Sequence, residues 1–113
     1  MKWYKIAGIT YTDKPFIKRV LAGGHTICLV GYDGKVYALA NKCPHAGEDL
    51  SGGWCTDEKK LVCPYHRFSY DLETGRGSPG QHDYVNTYEV KITDGDIYVG
   101  FNTFKEKIKN LFK

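Results

Sequence analysis

The stretch NKCPHAGEDL, residues 41 to 50, sets Cys43 and His45 on either side of a proline. The stretch LVCPYHRFSY, residues 61 to 70, repeats the device with Cys63, Pro64 and His66. Four soft or borderline ligands can hold zinc or an iron–sulfur cluster. Classical zinc fingers put cysteines together and histidines together, whereas here each box supplies one of each. A site with two distinct iron positions uses that division well: one metal takes both sulfurs and the other takes both imidazoles. The prolines fix φ and remove a donor, so each loop is stiff. An electron carrier benefits from stiffness because it should reorganise little between oxidation states.

The surrounding chain reads as a β scaffold. WYKIA (3–7) and FIKRVLA (16–22) are expected strands. TICLVGY (26–32) and KVYALA (35–40) flank Asp33-Gly34, and TYEVKI (87–92) and DIYVGF (96–101) flank Asp94-Gly95. Both dipeptides tolerate positive φ and signal hairpins. Tyr88, Val90 and Ile92 alternate with polar neighbours, as a half-buried strand requires. A glycine-rich, less regular stretch over about residues 41 to 82 holds both boxes, which predicts a loop-built site on a rigid frame. At the C-terminus, Phe104, Ile108, Leu111 and Phe112 form one apolar stripe of a short helix over about 103–112, with lysines opposite.

Composition narrows the class. The chain has 113 residues, 42% of them hydrophobic and 26% charged, which fits one globular domain over 1–113. A net charge of +3 is too small and dispersed to argue for nucleic acid. No apolar run approaches the roughly 18 residues needed to cross a bilayer. The start, MKWYKIAG, lacks the apolar core of a signal peptide, so a cytoplasmic protein is expected. Thiols stay reduced in that compartment, which favours metal over disulfide for cysteines beside histidines. Cys28 falls in a strand and reads as a small buried hydrophobe, whereas Cys55, between the boxes, reads as an inert thiol. His25 and His82 read as solvated turn and loop histidines.

Cys-Pro-His-Ala-Gly and Cys-Pro-Tyr-His at this separation resemble the two ligand boxes of the Rieske [2Fe–2S] proteins. The likeness extends to DGKVYAL (33–39), DLETG (71–75) and the last hairpin, as in small Rieske ferredoxins. The resemblance implies an all-β, sandwich- or barrel-like domain with a smaller cluster-binding lobe. It implies that Cys43 and Cys63 ligate the inner iron as thiolates, and that His45 and His66 ligate the outer iron as neutral imidazoles near the surface. Neutral imidazoles in place of anionic thiolates make such a centre easier to reduce, at about −150 to +300 mV against about −400 mV for plant-type ferredoxins.

High-potential Rieske proteins carry a further cysteine in each box, joined as a disulfide. Glu48 and Tyr65 stand at those positions here, which places the chain with the low-potential ferredoxins. Phe68 stands where high-potential members have a serine donor. Arg67 and Phe68 also occupy places that are glycine in many members. Tyr70 sits where high-potential members place a tyrosine, and its hydroxyl is expected to bond the sulfur of Cys43. Ser78-Pro79-Gly80 resembles the proline loop that covers the cluster.

The function so implied is one-electron transfer, from a flavin-containing reductase to a terminal acceptor such as a Rieske non-haem iron oxygenase, with docking near His45 and His66. No 2-His-1-carboxylate motif suggests catalysis by the chain itself. Two alternatives stand beside this one: the small subunit of a larger oxidoreductase, as in nitrite reductases, and a structural zinc module. The terminal helix is expected to pack on its own barrel, with docking to a partner or an anionic membrane as the alternative.

Overall fold

The computed structural model describes residues 1–44, 47–65, 67–81 and 83–102. The expected terminal helix, His45, His66 and His82 lie outside the described residues.

The fold is all-β. Alternating β-branched and aromatic residues favour a pleated, half-buried surface, and they build β1 (Lys2–Thr10), β2 (Phe16–Ala22), β3 (His25–Tyr32), β4 (Lys35–Ala40), β8 (Thr87–Thr93) and β9 (Asp96–Phe101). These six strands form one sheet in the order β1-β9-β8-β4-β3-β2. Every pairing is antiparallel, and β1 also touches β2, so the sheet curls almost to closure. At the β3–β4 and β8–β9 turns, Asp33 and Gly34 have φ of 51° and 78°, and Asp94 and Gly95 have φ of 52° and 82°. Positive φ at both central positions matches the right-handed twist of the flanking strands. β1 is longer than its apolar core suggests, because a register irregularity between Lys5 and Thr10 lets it resume pairing.

β3 decides where the site sits. Its residues Cys28 to Val30 are fully buried. Ile27 and Leu29 join Ile6, Ala38, Ile97 and Val99 in one core. Cys28 and Val30 point the other way, into a second core with Leu39, Leu50, Leu61, Leu72 and Val85. A strand covered on both faces must be apolar throughout, which the run ICLV satisfies. The second core also contains Cys43, Cys63 and Tyr70. The lobe carrying the boxes is therefore welded to the back of β3 and β4 by burial.

That lobe is more regular than the sequence suggests. It contains a 3-10 turn (Leu50–Gly52) and a second antiparallel sheet of β5 (Trp54–Cys55), β6 (Lys60–Val62) and β7 (Ser69–Asp71). Strands this short carry too few residues for a period of two to show.

One close approach closes the lobe. The Val85 N–H donates to the Gly75 carbonyl at 2.8 Å. A Cβ on Gly75 would lie 1.9 Å from the Val85 oxygen, at a φ of +74°. Gly75→Ala is expected to cost about 2–3 kcal/mol through that clash and strain. In a domain of this size the loss lowers Tm by on the order of 10 °C in calorimetry. An unchanged Tm would contradict the close approach.

Candidate metal centre

Each box is a loop whose backbone closes on itself. In box one the Cys43 N–H donates to the Glu48 carbonyl at 2.8 Å, and the Gly47 N–H to the Cys43 carbonyl at 2.8 Å. Asn41 anchors the loop base. Its N–H donates to the Thr26 carbonyl at 3.2 Å, and its side-chain oxygen accepts the Ser51 N–H at 2.9 Å. Thr26 lies on β3, so box one is tied to the large sheet. Box two is the tip of the β6–β7 hairpin, where Leu61 faces Tyr70 and Val62 faces Ser69. The Cys63 N–H donates to the Phe68 carbonyl at 2.7 Å and shuts the tip. Phe68 is half-buried against the second core, so this position supplies packing where a serine would supply a hydroxyl.

The two tips bring their cysteines together. Cys43 is 2% exposed and Cys63 1%. Burial pushes the Cys63 thiol up from its ordinary pKa, opposed by a hydrogen bond from the Tyr65 backbone, with the neighbouring Cys43 and Glu48 adding to the rise. Two thiols so close and so poorly hydrated are disfavoured as anions until a cation neutralises them. None of the four cysteines is joined in a disulfide. Pro44, Pro64 and Tyr65 stay exposed at the tips.

Tyr70 completes the sulfur side. Its ring is fully buried. Its hydroxyl oxygen lies 3.4 Å from the Cys43 sulfur, the contact expected from the sequence. The same hydroxyl donates to Asp83 Oδ2 at 3.1 Å. Burial, with smaller contributions from Cys43 and Asp83, holds the phenol far above its usual pKa, so it stays protonated. Ser78-Pro79-Gly80 forms a turn beside β7. The Ser78 N–H donates to the Ser69 carbonyl at 3.1 Å and the Gln81 N–H to the Ser78 carbonyl at 3.0 Å. Gln81 Oε1 accepts the Ser69 N–H at 3.0 Å, and the Ser69 and Ser78 hydroxyls share a short hydrogen bond. Lys60 Nζ also reaches Ser78 Oγ at 3.1 Å.

Arg67 is exposed and adopts φ of 58°, the left-handed conformation that glycine takes most easily. An arginine here keeps the loop shape at a modest strain. His25 is exposed, yet it stacks on Phe101 at 4.8 Å between ring centroids. It belongs to β3 and not to the preceding turn. Asp83 and Gln81 were not legible as site residues, because nothing in the sequence links position 83 to Tyr70.

The chain belongs to the Rieske [2Fe–2S] domain family, whose model matches residues 2–89. It is 36% identical over 75 residues to the 3-phenylpropionate/cinnamic acid dioxygenase ferredoxin subunit of Photorhabdus laumondii, covering 65% of this chain and 70% of that protein. The corresponding subunit of Escherichia coli K12 is 33% identical over the same shares. Among solved structures, the fold superposes with a TM-score of 0.75 on a chain from the complex of reduced oxygenase and oxidized ferredoxin in carbazole 1,9a-dioxygenase, at 25% identity over 87% of this chain and 92% of that one. The carbazole 1,9a-dioxygenase ferredoxin of Nocardioides aromaticivorans IC177 shares the fold at a TM-score of 0.73 and 24% identity, over 90% of this chain and all of that one. The cofactor is one Rieske-type [2Fe–2S] cluster. The residues present fit it: two buried thiols converge from separate stiff loops, with a buried hydroxyl against one of them. Among the described residues no helix is long and apolar enough to cross a membrane.

The Tyr70 contact has a measurable consequence. A neutral hydrogen bond to a ligand sulfur that favours the reduced, more negative state by about 1 kcal/mol raises the potential by about 40 mV. Tyr70→Phe should lower the potential in voltammetry by up to that amount, and no downward shift would refute the bond.

The remaining thiols should be quiet. Burial pushes Cys28 up to about 12, helped by Cys55 and Asp49, and burial also raises Cys55. Raised pKa means less thiolate at about pH 8 and slower alkylation. In the cluster-loaded protein, iodoacetamide should modify both more slowly than an unstructured cysteine peptide. Labelling of Cys55 at the peptide's rate would contradict an inert thiol.

Proposed function

We propose that residues 1–113 form one cluster-bearing domain in which Cys43 and Cys63 hold the inner iron and His45 and His66 the outer iron. The chain is a one-electron carrier and an electron-transfer component, not a catalyst in its own right. When bound, the cluster takes up and releases one electron. The protein supplies the rest. The β3–β4 back wall keeps Cys43 and Cys63 dry, the closed hairpin tips limit rearrangement, and Tyr70 offers a proton to the Cys43 sulfur. Glu48 and Tyr65 stand where a disulfide would sit, which supports the lower part of the Rieske potential range.

The electron donor in this reading is a flavin-containing reductase, and the acceptor is a terminal Rieske non-haem iron oxygenase. The family resemblance and the dioxygenase ferredoxin subunits named above support that pairing. The histidine boxes flank the exposed Pro44, Pro64 and Tyr65, which supports docking at this end of the molecule. The compartment in this reading is the cytoplasm. The observation that carries the function is the pair of buried thiols, Cys43 and Cys63, brought together by two loops that each also contain a histidine.

Iron and acid-labile sulfide analysis of anaerobically purified protein tests it. Iron and sulfide in equal amounts, with a coloured and dithionite-bleachable spectrum, are expected. Zinc without sulfide would instead support a structural module. His45→Ala and His66→Ala should each lose the spectrum while the β-sheet circular dichroism persists. Retention of the full iron content in either variant would remove that histidine from the ligand set.

A further inference from the structure

We propose that Asp83 sets the reduction potential of the centre by competing with the Cys43 sulfur for the single proton of Tyr70. The proposal rests on the cluster-binding reading above and adds a residue to it.

The geometry is a short chain of three groups. Tyr70 Oη lies 3.4 Å from Cys43 Sγ and 3.1 Å from Asp83 Oδ2. A phenol has one hydrogen to donate. A ligand thiolate and an aspartate carboxylate are both acceptors only. One donor therefore faces two anions, and the hydroxyl can satisfy only one of them at a time. Whatever strengthens the bond to Asp83 weakens the bond to the sulfur. A hydrogen bond to sulfur favours the more negative, reduced cluster, so Asp83 lowers the potential through the hydroxyl. Its own negative charge acts in the same direction.

Asp83 is held in that position and does not drift there. Its Oδ1 accepts the Gln81 Nε2–H at 3.2 Å, and Gln81 is itself fixed by the Ser69 N–H at 3.0 Å. The Asp83 carbonyl accepts the Gly77 N–H at 2.9 Å. A Cβ on Gly77 would come within 2.5 Å of Asp83 Oδ1, so the carboxylate packs closely against backbone that only glycine leaves bare. No ion pair to Asp83 is present among the described residues. Lys42 and Arg76 each line a surface hollow that Asp83 also lines. The Tyr70 side chain is fully buried, so its hydroxyl has these two acceptors close at hand, whereas Asp83 is half-buried.

A double-mutant cycle on the cluster-loaded protein tests this, with the potential read by voltammetry. Asp83→Ala should shift the potential upward. Tyr70→Phe should shift it downward, and further downward in the Asp83→Ala background than in the wild type, because the phenol is then wholly available to the sulfur. An unchanged potential in Asp83→Ala would overturn the proposal. So would equal Tyr70→Phe shifts in both backgrounds, which would mean that charge alone acts. Asp83→Asn keeps the shape if the alanine variant does not fold. It should raise the potential and enlarge the H2O-to-D2O shift of the iron–cysteine stretching band in resonance Raman spectra; no change in either would equally overturn it. The visible spectrum of every variant reports cluster loading separately, so failure here leaves the ligand assignment standing.

Discussion

Two sulfur atoms have to be held side by side in a dry pocket, by loops that would otherwise spread. That constraint organises the molecule. Neither box has enough apolar residues to bury its own cysteine. The burial comes from β3, whose Cys28 and Val30 face outward from the large sheet into the second core. Leu61, Leu72 and Val85 complete the packing from the other side. Burial of these apolar side chains offsets part of the conformational entropy lost in ordering the two loops. Rigidity follows from the same packing, because a close-packed interior does not yield to small displacements.

Hydrogen bonding then sets the electronic character of the pocket. Backbone donors and acceptors within each box close the loops, while the Tyr65 N–H and the Tyr70 hydroxyl turn toward the sulfurs. The β7 strand links these groups to the turn around Pro79. Tyr70 points from β7 into the core, Ser69 pairs with Ser78 and Gln81, and Asp83 returns to the same hydroxyl. A change in the turn at 78–81 would therefore be felt at Cys43 without any direct contact.

Much of this was legible in the sequence. The Asp-Gly turns marked two hairpins because only left-handed backbone fits them, and β2 and β4 fall at the expected bounds. The two boxes pointed to a metal site because cysteine and histidine so spaced have little other use, and the structure brings the two cysteines together. The Tyr70 contact followed from family resemblance, and no periodicity would have found it. Other features were hidden for physical reasons. β5, β6 and β7 are two or three residues long, and tertiary packing, not propensity, makes them strands. The left-handed Arg67 contradicts local preference, so only the folded loop reveals it. Asp83 meets Tyr70 from thirteen residues further along an irregular stretch, a contact that depends on the turn closing first.

The central claim is that the thiolates share one iron and the imidazoles share its neighbour. Mössbauer spectroscopy of oxidised protein enriched in iron-57 addresses it directly. Unequal ligand sets predict a pair of equally intense doublets with distinct isomer shifts, the sulfur-only site differing from the imidazole-bound one. A single doublet, with both irons alike, would contradict the division of ligands from which the rest follows.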